Sequence, residues 1–336
     1  MPIVVEKNLF AGRVELDSIY DTAHPEKGLL ESDSGIDYDV HSFGRNTNRA
    51  DHEAAIEALW HEKTSSGQTR VYNASKFRLK GLEVKSKESQ FVLKVGLTDY
   101  RDLLGTHYSK LTNQMVQDGL TDSDGKDPYM YMSNGIGVGA VTLTKDDFVV
   151  LVKRAGWTGE GAHKIDRPGG HPEPDLVWEA VNGPSKAHSS PSGCLDLSLY
   201  SKLDSALVLS EIFQSPCHEL RDEINIPIED QSPPELLGRI LSTQAGGRVS
   251  LDFLIHLQLD RYEVQSRYAK GTQSEADESE NLIFIPVVQV KDWCVDQEMI
   301  HNMTDHCLGG LRLFHLLLKR SAPTPTTTTT TSTTTS

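Results

Sequence analysis

SALVLSEIFQSPCHELRDEINIP, residues Ser205–Pro227, reads as one long helix, from about Leu203 to Glu223, whose acids keep helical spacing. Glu211, Glu219 and Glu223 stand at i, i+8 and i+12 with Asp222 beside them, so these carboxylates share one face. Leu207, Leu209, Ile212, Phe213, Cys217, Leu220 and Ile224 form an apolar side able to pack against a sheet. Carboxylates this close repel one another, and a divalent cation is the partner that makes the arrangement favourable. A solvated acidic helix face is the competing reading.

Upstream lies PGGHPEP, Pro168–Pro174, where two glycines let the backbone approach an ion or phosphate that a side chain would obstruct, and Glu173 adds an oxygen donor. Before it, GIGVGAVTLT and DDFVVLVKR form a hairpin turning near Lys145–Asp147. Downstream, LLGRILS and RVSLDFLIHLQL flank the turn Gly246–Gly247. The acidic loop SEADESEN then leads into the strand LIFIPVVQV, and a closing helix over Thr304–Lys319 is weakened in its first half by Gly309 and Gly310. Towards the N-terminus, Asp51–Lys63 has an amphipathic helical pattern, KFRLKGLEV and QFVLKVGL alternate as a hairpin, and a helix runs from Tyr100 to about Asp118, ended by Gly119. This mixed order predicts an α/β fold with a sheet between helices rather than regular βαβ units.

Four segments follow: residues 1–50, without sustained periodicity and poorly structured; 51–125, an N-terminal α+β module closed by the polar TDSDGKDP; 126–320, the main domain, with an insertion at about 174–203; and 321–336, a Thr-rich tail too polar to fold.

The chain carries 33 Lys and Arg against 48 Asp and Glu, a net charge of −15 with no basic stripe, which argues against a nucleic-acid groove. No apolar run reaches the roughly 20 residues of a membrane span. The opening MPIVVEKNLF lacks a signal-peptide core. Cys194, Cys217, Cys294 and Cys307 form no C-x-x-C pair and read as reduced thiols, so the expected location is cytoplasmic.

Together the acid helix and glycine loop resemble the Nudix hydrolases. That family's signature is a Gly, five residues, a Glu, seven residues, then Arg-Glu-aliphatic-x-Glu-Glu-x-Gly-aliphatic. Gly170 matches its first Gly and HELRDEINI, His218–Ile226, its second half, which puts Glu219 and Glu223 at the two strongest metal-binding glutamates and Asp222 at the first Glu of the Glu-Glu pair. The departures are specific. Gly170 and Glu219 lie 49 positions apart where the signature has 15, His218 replaces Arg, Asn225 replaces Gly, and Glu211 sits one position off the first signature Glu. A search with the signature pattern would miss this chain. Asn225 is acceptable at a helix end because Asn enters the left-handed conformation. The altered spacing, with KFRL, GLTDYRDLLGT, GVGA, PGGHPEP and DEINIP, resembles the UDP-glucose and UDP-galactose hydrolysing branch.

The resemblance implies an α/β/α sandwich around a mixed sheet. It also implies hydrolysis of a UDP-sugar diphosphate to UMP and sugar 1-phosphate, with the small-molecule substrate as partner. Mg2+, or Mn2+ as a substitute, is then held by Glu219, Glu223, Asp222 and the carbonyl of Gly169, where it bridges phosphate oxygens and acidifies water. Glu278, then Glu275, is the expected extra ligand or general base, against a merely solubilising loop. Tyr100 could stack on a base and Arg101 grip a phosphate, with Gly170 and Glu173 also at the substrate; alternatively Tyr100 starts a helix and Arg101 pairs with a nearby acid. His218 either orients the catalytic carboxylate or is satisfied by backbone, and Cys217 belongs to the core. Two further readings stay open: a Nudix hydrolase of another nucleoside diphosphate such as ADP-ribose, and a catalytically silent Nudix-fold binding module.

Overall fold

The computed structural model describes residues 3–65, 72–85, 90–158, 161–183 and 197–322. In chain order, β1 (Ile3–Phe10), β2 (Val14–Asp21) and β3 (Ser34–Tyr38) precede α1 (Ala50–Ser65), β4 (Ser75–Lys85) and β5 (Gln90–Asp99). Then come α2 (Tyr100–His107), α3 (Thr112–Asp122), the hairpin β6 (Gly137–Leu143) and β7 (Phe148–Arg154), and the two-residue strands β8 (Ile165–Asp166) and β9 (Gly169–Gly170). Helices α4 (Pro174–Asn182), α5 (Leu197–Tyr200) and α6 (Ser205–Ile224) lead to β10 (Glu235–Ser242) and β11 (Arg248–His256). The chain closes with α7 (Arg261–Tyr268), β12 (Ser279–Pro286), α8 (Val290–Trp293), α9 (Gln297–Asn302) and α10 (Asp305–Ser321).

The main sheet runs β1-β2-β10-β11-β6-β7-β12, with β8 on β7 and β9 on β6. It is mixed: β11 and β6 are parallel, the other pairs antiparallel. One face packs on α10, through Leu308, Leu311 and Phe314 against Val141, Ile240 and Leu254. The other packs on α6, where Phe213 meets Phe253 edge-on with ring centroids 5.2 Å apart. Period-two alternation in β11 explains the division, since Phe253 faces α6 while Leu254 faces α10. A second sheet, β3-β5-β4, shares the α6 core through Phe77 and Leu93.

Several expectations are corrected. Of the segment 1–50, expected to be poorly structured, residues 3–50 are described and carry three strands: β1 and β2 pair along their whole length and β2 extends the main sheet beside β10. The boundary near 121–128 therefore separates no independent core. The helix expected from Tyr100 to Asp118 is two helices, broken at Tyr108–Leu111. Gly309 and Gly310 do not weaken α10 but seat it, because a Cβ at Gly309 would press on Ile240 and one at Gly310 on Asp252. The strand expected at LIFIPVVQV stops at Pro286, whose ring cannot donate to the ladder. The insertion contributes α4 and α5, while its residues 184–196, with Cys194, and the tail 323–336 lie outside the described residues. Among the described residues, no helix is long and apolar enough to cross a membrane.

Candidate active site

Asp204 caps the start of α6 by accepting from the N–H groups of Ala206 and Leu207, and Asn225 ends it in the left-handed conformation at φ 62°. The helix points Glu219 and Glu223, one turn apart, towards β9. One carboxylate oxygen from each, with one from Glu275, lies within 4.8 Å of the others. Glu223 is buried, and its Oε2 accepts from the Gly169 N–H at 3.1 Å. A Cβ on Gly170 would overlap the Glu219 carboxylate, so the second glycine leaves the space that carboxylate occupies.

These acids are held at an electrostatic cost. Burial, then repulsion from Glu275 and Asp222, pushes Glu219 up to about 8. Burial and Glu219 raise Glu223 well above the carboxylate range, with the Arg154 guanidinium pulling it part of the way back. Burial and then Glu278 raise Glu275. A divalent cation held by Glu219, Glu223 and Glu275 would relieve this repulsion, and the all-oxygen donor set would suit Mg2+ or Mn2+.

The cluster lies in a cleft of about 770 Å³ that basic residues also line: Lys76 from β4, Arg154 from β7 and Arg248 from β11, with Tyr100, Tyr108, His171, His306 and Trp157 among the other lining residues. Arg248 lies over the Tyr108 ring, 5.9 Å from its centroid, and its Nη2 is 3.4 Å from His171 Nε2. Arg167, a buried residue of the same lining, bridges Asp252 and Ser250 at 2.8 Å each.

Of the expected residues, Glu219, Glu223, Gly169, Gly170, Glu173, Glu278 and Tyr100 line this cleft. Asp222 is not among the clustered carboxylates. Arg221, its neighbour on an exposed turn, chelates it through Nε at 2.9 Å and Nη2 at 2.6 Å. Its contribution is the main-chain carbonyl, which accepts from the Glu275 N–H at 2.9 Å and so ties the acidic loop to α6. Glu275, the second choice from that loop, joins the cluster instead of Glu278. Arg101 turns away from the cleft, with Nη1 on Glu57 at 3.0 Å and Nη2 on Asp102 at 3.2 Å, because the start of α2 gives Tyr100 and Arg101 different faces. Glu211 lies outside the cluster, accepts from the Glu173 N–H at 3.0 Å and is pushed up to about 7 by burial. His218 is half-buried outside the cleft and makes no hydrogen bond to the cluster among the described residues. Cys217 is a buried thiol of the core.

Sequence reading missed these basic residues. Lys76 stood in view only within KFRL, and Arg154 and Arg248 come from the ends of two strands, where nothing local marks them.

A mixed sheet between helices and a cleft that gathers three carboxylates suit a hydrolase of phosphate anhydrides. No family model matches the chain, in keeping with the residues inserted inside its signature. It is 35% identical over 265 residues to the mouse protein named uridine diphosphate glucose pyrophosphatase NUDT22, covering 78% of this chain and 80% of that one. Identity to the human protein of the same name is 32% over 266 residues, 78% and 81% of the two chains. Nudix hydrolase 9 of Arabidopsis thaliana is 26% identical over 274 residues, 80% and 81% of the two. The chain belongs to the Nudix hydrolases, in the family of the NUDT22 proteins.

Proposed function

We propose that this protein hydrolyses the diphosphate of UDP-glucose and UDP-galactose to UMP and sugar 1-phosphate, using Mg2+, with Mn2+ as a substitute. The observation that carries this reading is the Glu219, Glu223 and Glu275 cluster, set against the Gly169–Gly170 backbone in a cleft that basic residues also line, in a chain whose relatives carry a UDP-glucose pyrophosphatase name.

Those three glutamates would hold the cation, which when bound supplies charge neutralisation at the diphosphate and makes water more acidic. The chain's own part is positional. The Gly169 N–H fixes the Glu223 carboxylate, and the Asp222 carbonyl holds the loop that delivers Glu275. Glu278, on the same loop and lining the cleft, takes the proton of the attacking water, a role worth about 10² to 10⁴-fold. Arg154 and Arg248 meet phosphate oxygens with planar donor sets, and Tyr100 offers a ring face to the uracil. With a net charge of −15 we assign no nucleic-acid or membrane partner, and a cytoplasmic location is part of the same proposal.

Substrate profiling tests the proposal. UDP-glucose and UDP-galactose should each yield UMP and the sugar 1-phosphate in equal amounts, observed by 31P NMR, and ADP-ribose should react at least about 10-fold more slowly in kcat/KM. A preference for ADP-ribose would overturn the uridine assignment. Tight binding of UDP-glucose without turnover, with any divalent metal, would make the protein a binding module.

A further inference from the structure

In β4, Phe77 and Leu79 enter the core, which places Lys76 on the opposite face of the strand, within the cleft. The half-buried chain carries its ammonium into the space shared with Glu219 and Glu173. Among the described residues Lys76 makes no hydrogen bond and no ion pair. Two of the other cleft cations are engaged within the protein, Arg13 with Asp305 and the Ile300 carbonyl, Arg167 with Asp252 and Ser250. Desolvating an ammonium without a hydrogen-bonded counter-charge is costly, and such a group persists where a ligand completes it.

The acid cluster and Lys76 line one cavity with opposite charges, and Glu173 and Glu219 are the first charges that act on the ammonium. A metal-phosphate pair satisfies both, while a direct contact between Lys76 and Glu219 would satisfy only one carboxylate.

We propose that Lys76 is a substrate-contacting residue that anchors the diphosphate directly, so that the phosphate end of the ligand binds before and without the metal. This rests on the diphosphate-hydrolase reading of the site, but not on which nucleoside the substrate carries. It makes Lys76 a determinant of anion recognition distinct from the carboxylates, with a bond from Nζ to a non-bridging phosphate oxygen.

Isothermal titration of the full chain in EDTA, where no hydrolysis intervenes, tests it with UDP-glucose, inorganic pyrophosphate and uridine as probes. Lys76→Met should weaken UDP-glucose and pyrophosphate at least about 10-fold, the scale of one charge-assisted contact, leave uridine binding unchanged and not lower the melting temperature. Lys76→Arg should recover most of the loss. Unchanged pyrophosphate affinity in Lys76→Met, or an equal loss for uridine, would overturn the assignment. Should Lys76→Met fail to fold, Lys76→Gln carries the same expectations. If wild type ignores UDP-glucose but binds pyrophosphate through Lys76, the uridine reading falls and the Lys76 assignment stands.

Discussion

Gly170 shows how much one missing carbon can matter. Its backbone could carry an alanine without strain, yet the added Cβ would stand where the Glu219 carboxylate is. That carboxylate is the far end of a flexible side chain, so it can swing aside at small cost to the fold but leaves the metal cluster. Gly170→Ala should therefore lower kcat at least about 10-fold and raise the Mg2+ concentration needed for half-maximal rate, while the melting temperature stays within about 2 °C of wild type. Steady-state assays against Mg2+, beside a thermal melt, check both halves. Glycine followed by glycine is visible in sequence, but its neighbour across the fold is not. The same limit hid Glu275: spacing put it in an acidic loop beside Glu278, and only the hydrogen bond from its N–H to the Asp222 carbonyl selects it. Asp222 differs: the arginine that engages it is adjacent in sequence, but only the side-chain geometry shows Arg221 turned back onto its carboxylate.

At the scale of elements, α6 ends at Asn225, which closes the helix in the left-handed conformation and then uses its side chain. Nδ2 donates to the Arg267 carbonyl at 2.8 Å and to Thr272 Oγ1 at 3.1 Å, tying the helix end to the segment that leads to Glu275. Asn225→Gly keeps the backbone conformation and loses both bonds, so it should cost about 1 kcal/mol in denaturant unfolding, and Asn225→Ala should cost about 1 kcal/mol more through left-handed strain. Equal stability of the three proteins would refute the tether. The helix end was legible because Asn chemistry is local. The break between α2 and α3 was not, because no Gly or Pro marks it. There Thr112 Oγ1 donates to the carbonyls of Thr106 and Ser109 at 2.7 Å each, and His107 is held from outside the helix by Ala245 and Asn134. Nor was β2 legible, since its partner β10 follows more than two hundred residues later and VELDSIYD alternates only weakly by itself.

Across the whole molecule, two buried sets of groups pull stability in opposite directions with pH. His107 Nδ1 faces the Ala245 carbonyl at 2.8 Å and Nε2 accepts from the Asn134 N–H at 3.1 Å, so the neutral ring is required, and burial pushes its pKa down to about 4. The unfolded chain binds that proton more readily. His107 therefore contributes roughly 3 kcal/mol above pH 6.5, and this is lost as pH falls towards 4. Glu219, pushed up to about 8, acts the other way. Its stability contribution is full below the unfolded carboxylate value near 4.5 and declines as pH rises through 8, unless a cation neutralises the cluster. The rise in melting temperature caused by Mg2+ should accordingly be larger at pH 8.5 than at pH 6, and melts in EDTA should fall off on both sides of neutrality. A Mg2+ effect that shrinks with rising pH would show that the ion is not held by this cluster.

If the carboxylates on α6 hold the metal of a UDP-sugar hydrolase, single-substrate turnover of UDP-glucose by wild type and by Glu223→Gln, each folded, with Mg2+ and again with EDTA, separates the four conditions sharply. Wild type with Mg2+ should release UMP and glucose 1-phosphate in equal amounts, and the other three conditions should release at most about 10⁻³ of that rate. Turnover by Glu223→Gln near the wild-type rate, or by wild type in EDTA, would contradict the account.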